Sequence, residues 1–598
     1  MLIRTIRLLI LSGLLVLSGG HAATTKTTSY PAARGRTPTR VFSPSVYRGH
    51  NQVWSILQRA DGVMLFGNRG AVFEYDGVDW KRRPIPTSFV WALDESPAGE
   101  IFVGATDQLG HFVADADGQP AFESLLDKLP EDKRSPGMIR QVFWREDGVY
   151  FAGINDVFRW RDGRFHVWSW DESPRQKLFK AGDELYLHRQ GEGVYRLTGD
   201  DFVLDPRLAK WSDQPLLSLV RLPSGSLLAF SPKTGAELID ADETRPWNET
   251  PDVLFANGMR DAVVLGDGSV AISSAQGGVF IYSAEGRLLR RIDADSGLQS
   301  STVLSLAPDR EGNLWLGTQD GMAWAGIAAN YTVFDRLNGL DRDYPRQFIR
   351  HEDTLFAVTN AGLYALADTG PRAESQGPAH FERVAGVDPR LWSLASHRSG
   401  LLIGERNGLS LRHADGSVRP LFTTTVPALT LALAPQDPDL LIVGQGRGVC
   451  FLRYDDNEWS TPTALPDFDG EVRSLHIDAA GDLWLGTTTR GIGHISKPAA
   501  GRHYWDTPAE FFLETNGLPA GQGWTMVYGT PEGPVFSTRE GIFRFDRDAR
   551  HFQRAEEFTT PDGPSRYLEL PRVVPAARSF RAPKPGQLAM GRPCPHGA

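Results

Sequence analysis

Hydrophobic positions in this chain gather into short runs broken by glycine-containing turns, and the runs recur at a nearly constant distance. The sharpest unit starts with Val303-Leu304-Ser305-Leu306-Ala307-Pro308, turns through Asp309-Arg310-Glu311-Gly312-Asn313, and resumes as Leu314-Trp315-Leu316-Gly317-Thr318. It turns again at Gln319-Asp320-Gly321 and leaves along Met322-Ala323-Trp324. A second copy runs from Val472 through Asp478-Ala479-Ala480-Gly481-Asp482 and Leu483-Trp484-Leu485-Gly486-Thr487 to Ile495. Runs of this length between turn-forming residues read as β-strands. Leu314 and Leu316 face one way and Trp315 the other, so the strand is apolar on both faces. A sheet with one wet face would alternate apolar and polar residues. Burial on both faces predicts small sheets stacked against one another.

Looser copies open at Val53-Trp54, Val90-Trp91, Gln141-Val142 and Leu391-Trp392, and weaker ones near Leu178, Leu217, Ala262, Phe348, Leu429 and Met526. Their spacing of about 37 to 50 residues is that of one four-stranded propeller blade. Gly67, Gly104, Gly153, Gly317, Gly404, Gly444 and Gly486 read as one register, where a missing side chain lets a neighbouring backbone approach. Third strands carry Gly193-Val194-Tyr195, Gly278-Val279-Phe280, Gly362-Leu363-Tyr364 and Gly541-Ile542-Phe543, and fourth strands are marked by aromatics such as Trp80 and Phe165. The predicted fold is all-β, two consecutive β-propellers built from about twelve four-stranded blades. Seven blades are expected within residues 48–330 and five or six within 331–560, the second ring being short or incomplete.

With 598 residues, an ordinary chain would hold roughly three or four domains; the repeats replace that count. A net charge of −10 argues against a nucleic-acid surface. Residues 1–22 read as a secretory signal: Arg4 and Arg7, an apolar run from Leu8 to Leu17, and small residues up to a cleavage site after Ala22. That run is too short to span a bilayer comfortably. A periplasmic location is expected, with residues 23–47 as a linker rich in Thr, Pro, Arg and Ser. Of the two cysteines, Cys450 sits in a strand pattern as a small buried apolar residue, and Cys594 lies in an irregular tail, 561–598, crowded with Pro, Ala, Arg and Gly.

The segment Asp309 to Thr318, with its preface Ser296-Gly297-Leu298-Gln299-Ser300-Ser301-Thr302-Val303, resembles the two-component regulator propeller repeat. Similar prefaces are Asn338-Gly339-Leu340 and Asn516-Gly517-Leu518-Pro519. The resemblance covers roughly residues 50 to 546, strongly in two repeats and dilutely elsewhere. It implies two consecutive propellers forming the periplasmic sensor of a membrane-bound regulator, usually followed by a β-sandwich, a transmembrane helix and a kinase or cyclic-dinucleotide synthase. No membrane span, kinase motif or cyclase motif follows here, so the expectation is a sensor region lacking its output domains. A free-standing periplasmic propeller acting as a protein-binding scaffold, or a propeller lyase or hydrolase, stand as alternatives.

Propeller ligands usually meet the mouth of the central channel. If first strands are innermost, the turns between second and third strands share one face with the prefaces. Those turns carry Arg69, Arg406, Arg447, Arg490 and Arg539, and guanidinium groups favour carboxylate, sulfate or phosphate. Arg140-Gln141 and Arg346-Gln347 recur at matching preface positions, and Trp54, Trp91, Trp392 and Trp524 stand near innermost-strand starts, where sugars could stack. The expected ligand is a small molecule or oligosaccharide, anionic in character, and the expected partner a membrane-bound signalling protein or a second copy. There is no His-Glu-x-x-His, no zinc spacing, no Gly-x-Ser-x-Gly elbow and no phosphate loop, so no catalytic residue, metal or cofactor is assigned. Asp240-Ala241-Asp242-Glu243 and Asp293-Ala294-Asp295 lack the remaining ligands of a calcium loop and read as solvated turns.

Overall fold

A computed structural model describes residues 35–170, 175–240, 243–247, 251–340, 345–367, 379–519, 523–560 and 563–564. The expected signal sequence, Cys594 and nearly all of the tail lie outside them. Among the described residues no helix is long and apolar enough to cross a membrane.

The repeat units become twelve antiparallel sheets, eleven of four strands and one whose outermost strand is split into two short pieces. We number these blades along the chain by their first strands. Blades 1 to 7 begin with Ser55–Gln58, Val90–Glu95, Gln141–Arg145, Gln176–Ala181, Ser218–Arg221, Met259–Val264 and Val303–Pro308. Blades 8 to 12 begin with Gln347–His351, Leu391–His397, Ala428–Ala434, Val472–Ile477 and Met526–Thr530. Every run singled out by hydrophobic pattern opens one of them.

Two-faced burial of the second strands is what joins blade to blade. Leu314 and Leu316 of blade 7 pack with Ile281 of blade 6, whereas Trp315 between them packs with Phe66 of blade 1. Leu485 likewise joins Ile442 of blade 10, and Trp484 joins Phe536 of blade 12. Clusters of this kind connect blades 1 to 7 in sequence and return from blade 7 to blade 1. They also connect blades 8 to 12 in sequence. Among the described residues none joins blade 12 back to blade 8. Leu355 and Ala357 of blade 8, and Val535 and Ile542 of blade 12, sit in separate clusters. Among the described residues the first propeller is a closed ring and the second a five-blade arc.

The glycine register is confirmed in contact detail. A Cβ on Gly317 would lie 2.5 Å from the carbonyl oxygen of Val53, which enters the next blade round the closed ring. On Gly404 it would meet Ala428 O at 2.7 Å, and on Gly486 Thr525 O at 2.6 Å. The small side chain opposite often binds the same neighbour: Ser305 donates to Val53 O at 3.0 Å, and Val527 N donates to Ser474 Oγ at 2.8 Å. Gly153 does not belong to this register. Ala152 pairs with Gln141 at the equivalent position, and Gly153 lies one residue further, in the turn.

The expected linker is a second correction. Within 23–47, Thr39–Phe42 is the outermost strand of blade 7, pairing antiparallel with Gly321–Ala325. Phe42 stacks on Trp315 at 5.6 Å. The ring is thus closed by strands from both ends of its sequence. Just upstream, Arg36 pairs with Asp335 at 2.5 Å, tying the start of the ring to the segment that leads into blade 8. Asp293, read as part of a solvated acidic turn, is buried and accepts from Ser296 N at 3.0 Å.

Candidate functional site at the propeller mouths

Register decides which loops meet. The first residue of an inner strand pairs with the last residue of the second strand, as in Val303 with Thr318 and Leu391 with Glu405. The preface before each inner strand and the turn after each second strand therefore share one edge of the blade. These edges surround the mouth.

Six inner strands carry a β-bulge at the same place, just inside this edge. The extra residues are Trp91, Arg260, Leu304, Trp392, Leu429 and Arg473. A bulge bends the strand and re-aims the side chain it carries. Trp54, Arg140 and Arg346 hold the equivalent position in blades 1, 3 and 8, each donating its backbone N–H to the second strand.

In the arc three of these positions, with Trp524 just before the inner strand of blade 12, build a ladder. The Arg346 guanidinium lies 4.3 Å from the Trp392 ring, and that of Arg473 lies 5.8 Å from Trp392 and 4.6 Å from Trp524. Arg346 is held by Leu391 O at 3.4 Å and by the Asn360 side chain, and Arg473 by the Glu471 carboxylate. Trp524 ends the ladder 59% exposed. The ladder joins blades 8, 9, 11 and 12. Each indole faces a cation, an attraction that strengthens as water is excluded.

The other expected site residues take different places. Arg69, Arg406, Arg447, Arg490 and Arg539 all stand exposed on turns between second and third strands. Arg539 runs close to Gly523, beside Trp524. Arg490 pairs with Asp469 at 2.9 Å, so it is not a free cation. Arg406 helps hold the Asp388 carboxyl below its ordinary range, though chiefly hydrogen bonds from Arg390 do so. Gln347 is spent on structure: its amide donates to Leu394 O and accepts from Leu394 N, both at 2.8 Å. Gln141 opens blade 3 half-buried.

In the first ring the aromatics form a chain. Trp54 and Trp91 have ring centroids 4.7 Å apart, Trp91 and Phe89 5.6 Å, and Phe89 and His50 5.5 Å. Arg140 lies 5.7 Å over Trp91. Fully buried Asn68 fixes the preface, accepting from His50 N at 2.9 Å and donating to Gln52 O at 2.8 Å. Pattern reading passed over His50, Phe89 and Arg473. Only Arg473 left a trace, standing where the other repeats place Leu304 and Trp392.

The family model described as "Two component regulator propeller" matches residues 297–320, from the preface through the second strand of blade 7. The extracellular domain described as belonging to the hybrid two component system BT3049 from B. thetaiotaomicron matches at TM-score 0.59. Identity is 14%, covering 88% of this chain and 74% of that one. The corresponding domain of BT4673 from the same organism matches at 0.39 with 12% identity, covering 87% and 78%. Virginiamycin B lyase from Staphylococcus aureus also matches at 0.38 with 13% identity, covering 48% and 98%. No curated protein sequence matches the chain. One repeat of this chain, residues 297–320, thus matches the two-component regulator propeller model, and the all-β blade architecture is similar to that of the BT3049 domain.

Proposed function

We propose that the chain is the periplasmic ligand-sensing double propeller of a membrane-bound signalling protein, and that the mouth of the five-blade arc holds its ligand. The observation that carries this reading is the ladder Arg346–Trp392–Arg473–Trp524, which ends in an exposed indole. An indole face accepts the C–H side of a sugar ring while the hydroxyl edge stays wet. Because Trp392 and Arg473 are already stacked behind Trp524, little side-chain freedom remains to be lost on binding. Arg539 beside Gly523 can meet a charged substituent on such a ring. The ligand class is an oligosaccharide, and a membrane-bound partner or a second copy would receive the signal.

Thermal denaturation against a panel of oligosaccharides tests this. A sensor ligand raises the midpoint in proportion to the logarithm of its concentration above Kd, without being consumed. Trp524→Ala is expected to abolish that shift while leaving the unliganded midpoint nearly unchanged, since the ring is exposed. A shift of wild-type size in Trp524→Ala would remove the site. Release of product from the glycan would replace sensing with catalysis.

A further inference from the structure

The mouth of the closed first ring has a composition unlike that of the arc. Its aromatic chain His50–Phe89–Trp91–Trp54 draws on blades 1 and 2, and blade 3 adds Arg140. Apart from His50 Nδ1, the polar side-chain atoms of this group are donors. Trp91 Nε1 is used on Thr106 Oγ1 at 2.8 Å. Trp54 Nε1 is buried and has no acceptor among the described residues. A buried donor left without a partner costs about 1–3 kcal/mol, and such a group calls for an explanation.

His50 adds a second donor. Its Nδ1 accepts from Gln52 N at 3.2 Å, which leaves the proton on Nε2. Partial burial, and then the charge of nearby Arg69, lower its pKa, so the ring is neutral at pH 7 and this tautomer persists. The exposed guanidinium of Arg140 touches Met138 Sδ at 3.6 Å, and no carboxylate among the described residues pairs with it or with Arg69. In the arc, by contrast, Arg473 and Arg490 are each matched by an acid.

We propose that the entrance of the first propeller is a ligand site separate from the ladder, selective for a ring that bears a carboxylate. The ring would stack on the Trp54–Trp91 pair, and the carboxylate would lie toward Arg140 beside Trp91, with His50 Nε2 a further donor at the far end of the aromatic chain. Donors whose arginines are paired with no carboxylate among the described residues recognise an acceptor-rich anion, and Arg offers it two parallel N–H groups. A sugar acid and an aromatic acid share this chemistry.

Titration calorimetry and tryptophan fluorescence on the whole chain separate the outcomes, with tetragalacturonate and benzoate as acidic probes and cellotetraose as the neutral one. Binding of either acid, weakened by added salt, is expected, and the two acids tell which source the ring comes from. Arg140→Gln and Trp91→Ala are each expected to weaken binding about tenfold or more, equivalent to roughly 1.4 kcal/mol. Arg140 is exposed, so its variant tests the site even if Trp91→Ala folds poorly. Trp524→Ala should leave this binding intact, which keeps the result distinct from that of the arc. Failure of both acids to bind at millimolar concentration, equal binding of cellotetraose, or unchanged affinity in Arg140→Gln would each overturn the proposal.

Discussion

Single residues here are decided by what the neighbouring blade brings close. Gly486 is the sharpest case, since an added methyl would press on Thr525 O at 2.6 Å and on Ser474 Oγ. Gly486→Ala should cost about 1–3 kcal/mol by overpacking, read as a lower urea midpoint; an unchanged midpoint would show that the seam can widen. The same register in blade 4 holds His188, buried, with its Nε2 3.1 Å from Trp211 O. Burial lowers its pKa below 6.5, outweighing the hydrogen bond that favours the charged ring. His351 and His476 are lowered too, again mainly by burial. Each contributes stability that is complete above about pH 6.5 and lost as pH falls through the folded value. The thermal midpoint should therefore drop on acidification from pH 7 toward about 5, and His188→Gln should flatten that drop. Cys450 was legible as a buried small apolar residue, and burial pushes its thiol up to about 12. It should resist alkylation in the native protein and react once denatured.

At the scale of elements, the turn chemistry was the most readable part. In the preface Asn338-Gly339-Leu340 the Asn side chain accepts from Asp335 N at 3.2 Å, Gly339 takes φ 82°, and Leu340 is buried. Asn516-Gly517-Leu518 repeats the arrangement, with Leu513 N donating to Asn516 Oδ1 and Gly517 at φ 88°. The Asp of the first turn is similarly local: Asp478 Oδ1 accepts from Asp482 N at 3.0 Å and its Oδ2 from Trp484 Nε1 at 2.8 Å. The closing strand Thr39–Phe42 was not legible. It is short, it lies in a Thr- and Pro-rich stretch, and its partner Gly321–Ala325 is distant in sequence. Phe42→Ala should cost about 3–5 kcal/mol, the usual loss for a buried aromatic. A loss well under that, with ring 1 intact by hydrogen exchange, would mean the ring does not depend on this strand.

On the scale of the whole molecule, the two propellers differ in closure. The ring has a buried cluster at each of its blade junctions, whereas the arc ends in two blades that share none among the described residues. Local opening follows the least supported junctions. Amides of the inner strands Gln347–His351 and Met526–Thr530 should exchange faster than those of Ser55–Gln58 and Val303–Pro308. A ligand on the ladder, which touches blades 8 and 12, should slow the arc selectively; uniform protection of both propellers would argue that the arc is closed by other means.

By itself the sequence determined the blade. Strand periodicity, turn glycines and two-faced burial are set by residues near one another in the chain, and all twelve units could be found from them. Tertiary structure alone decided which blades meet, that a strand from residues 39–42 completes blade 7, and that Arg346, Trp392, Arg473 and Trp524 form one ladder while Arg490 is matched by Asp469. Those outcomes depend on curvature accumulated over several blades, and no local pattern records the sum.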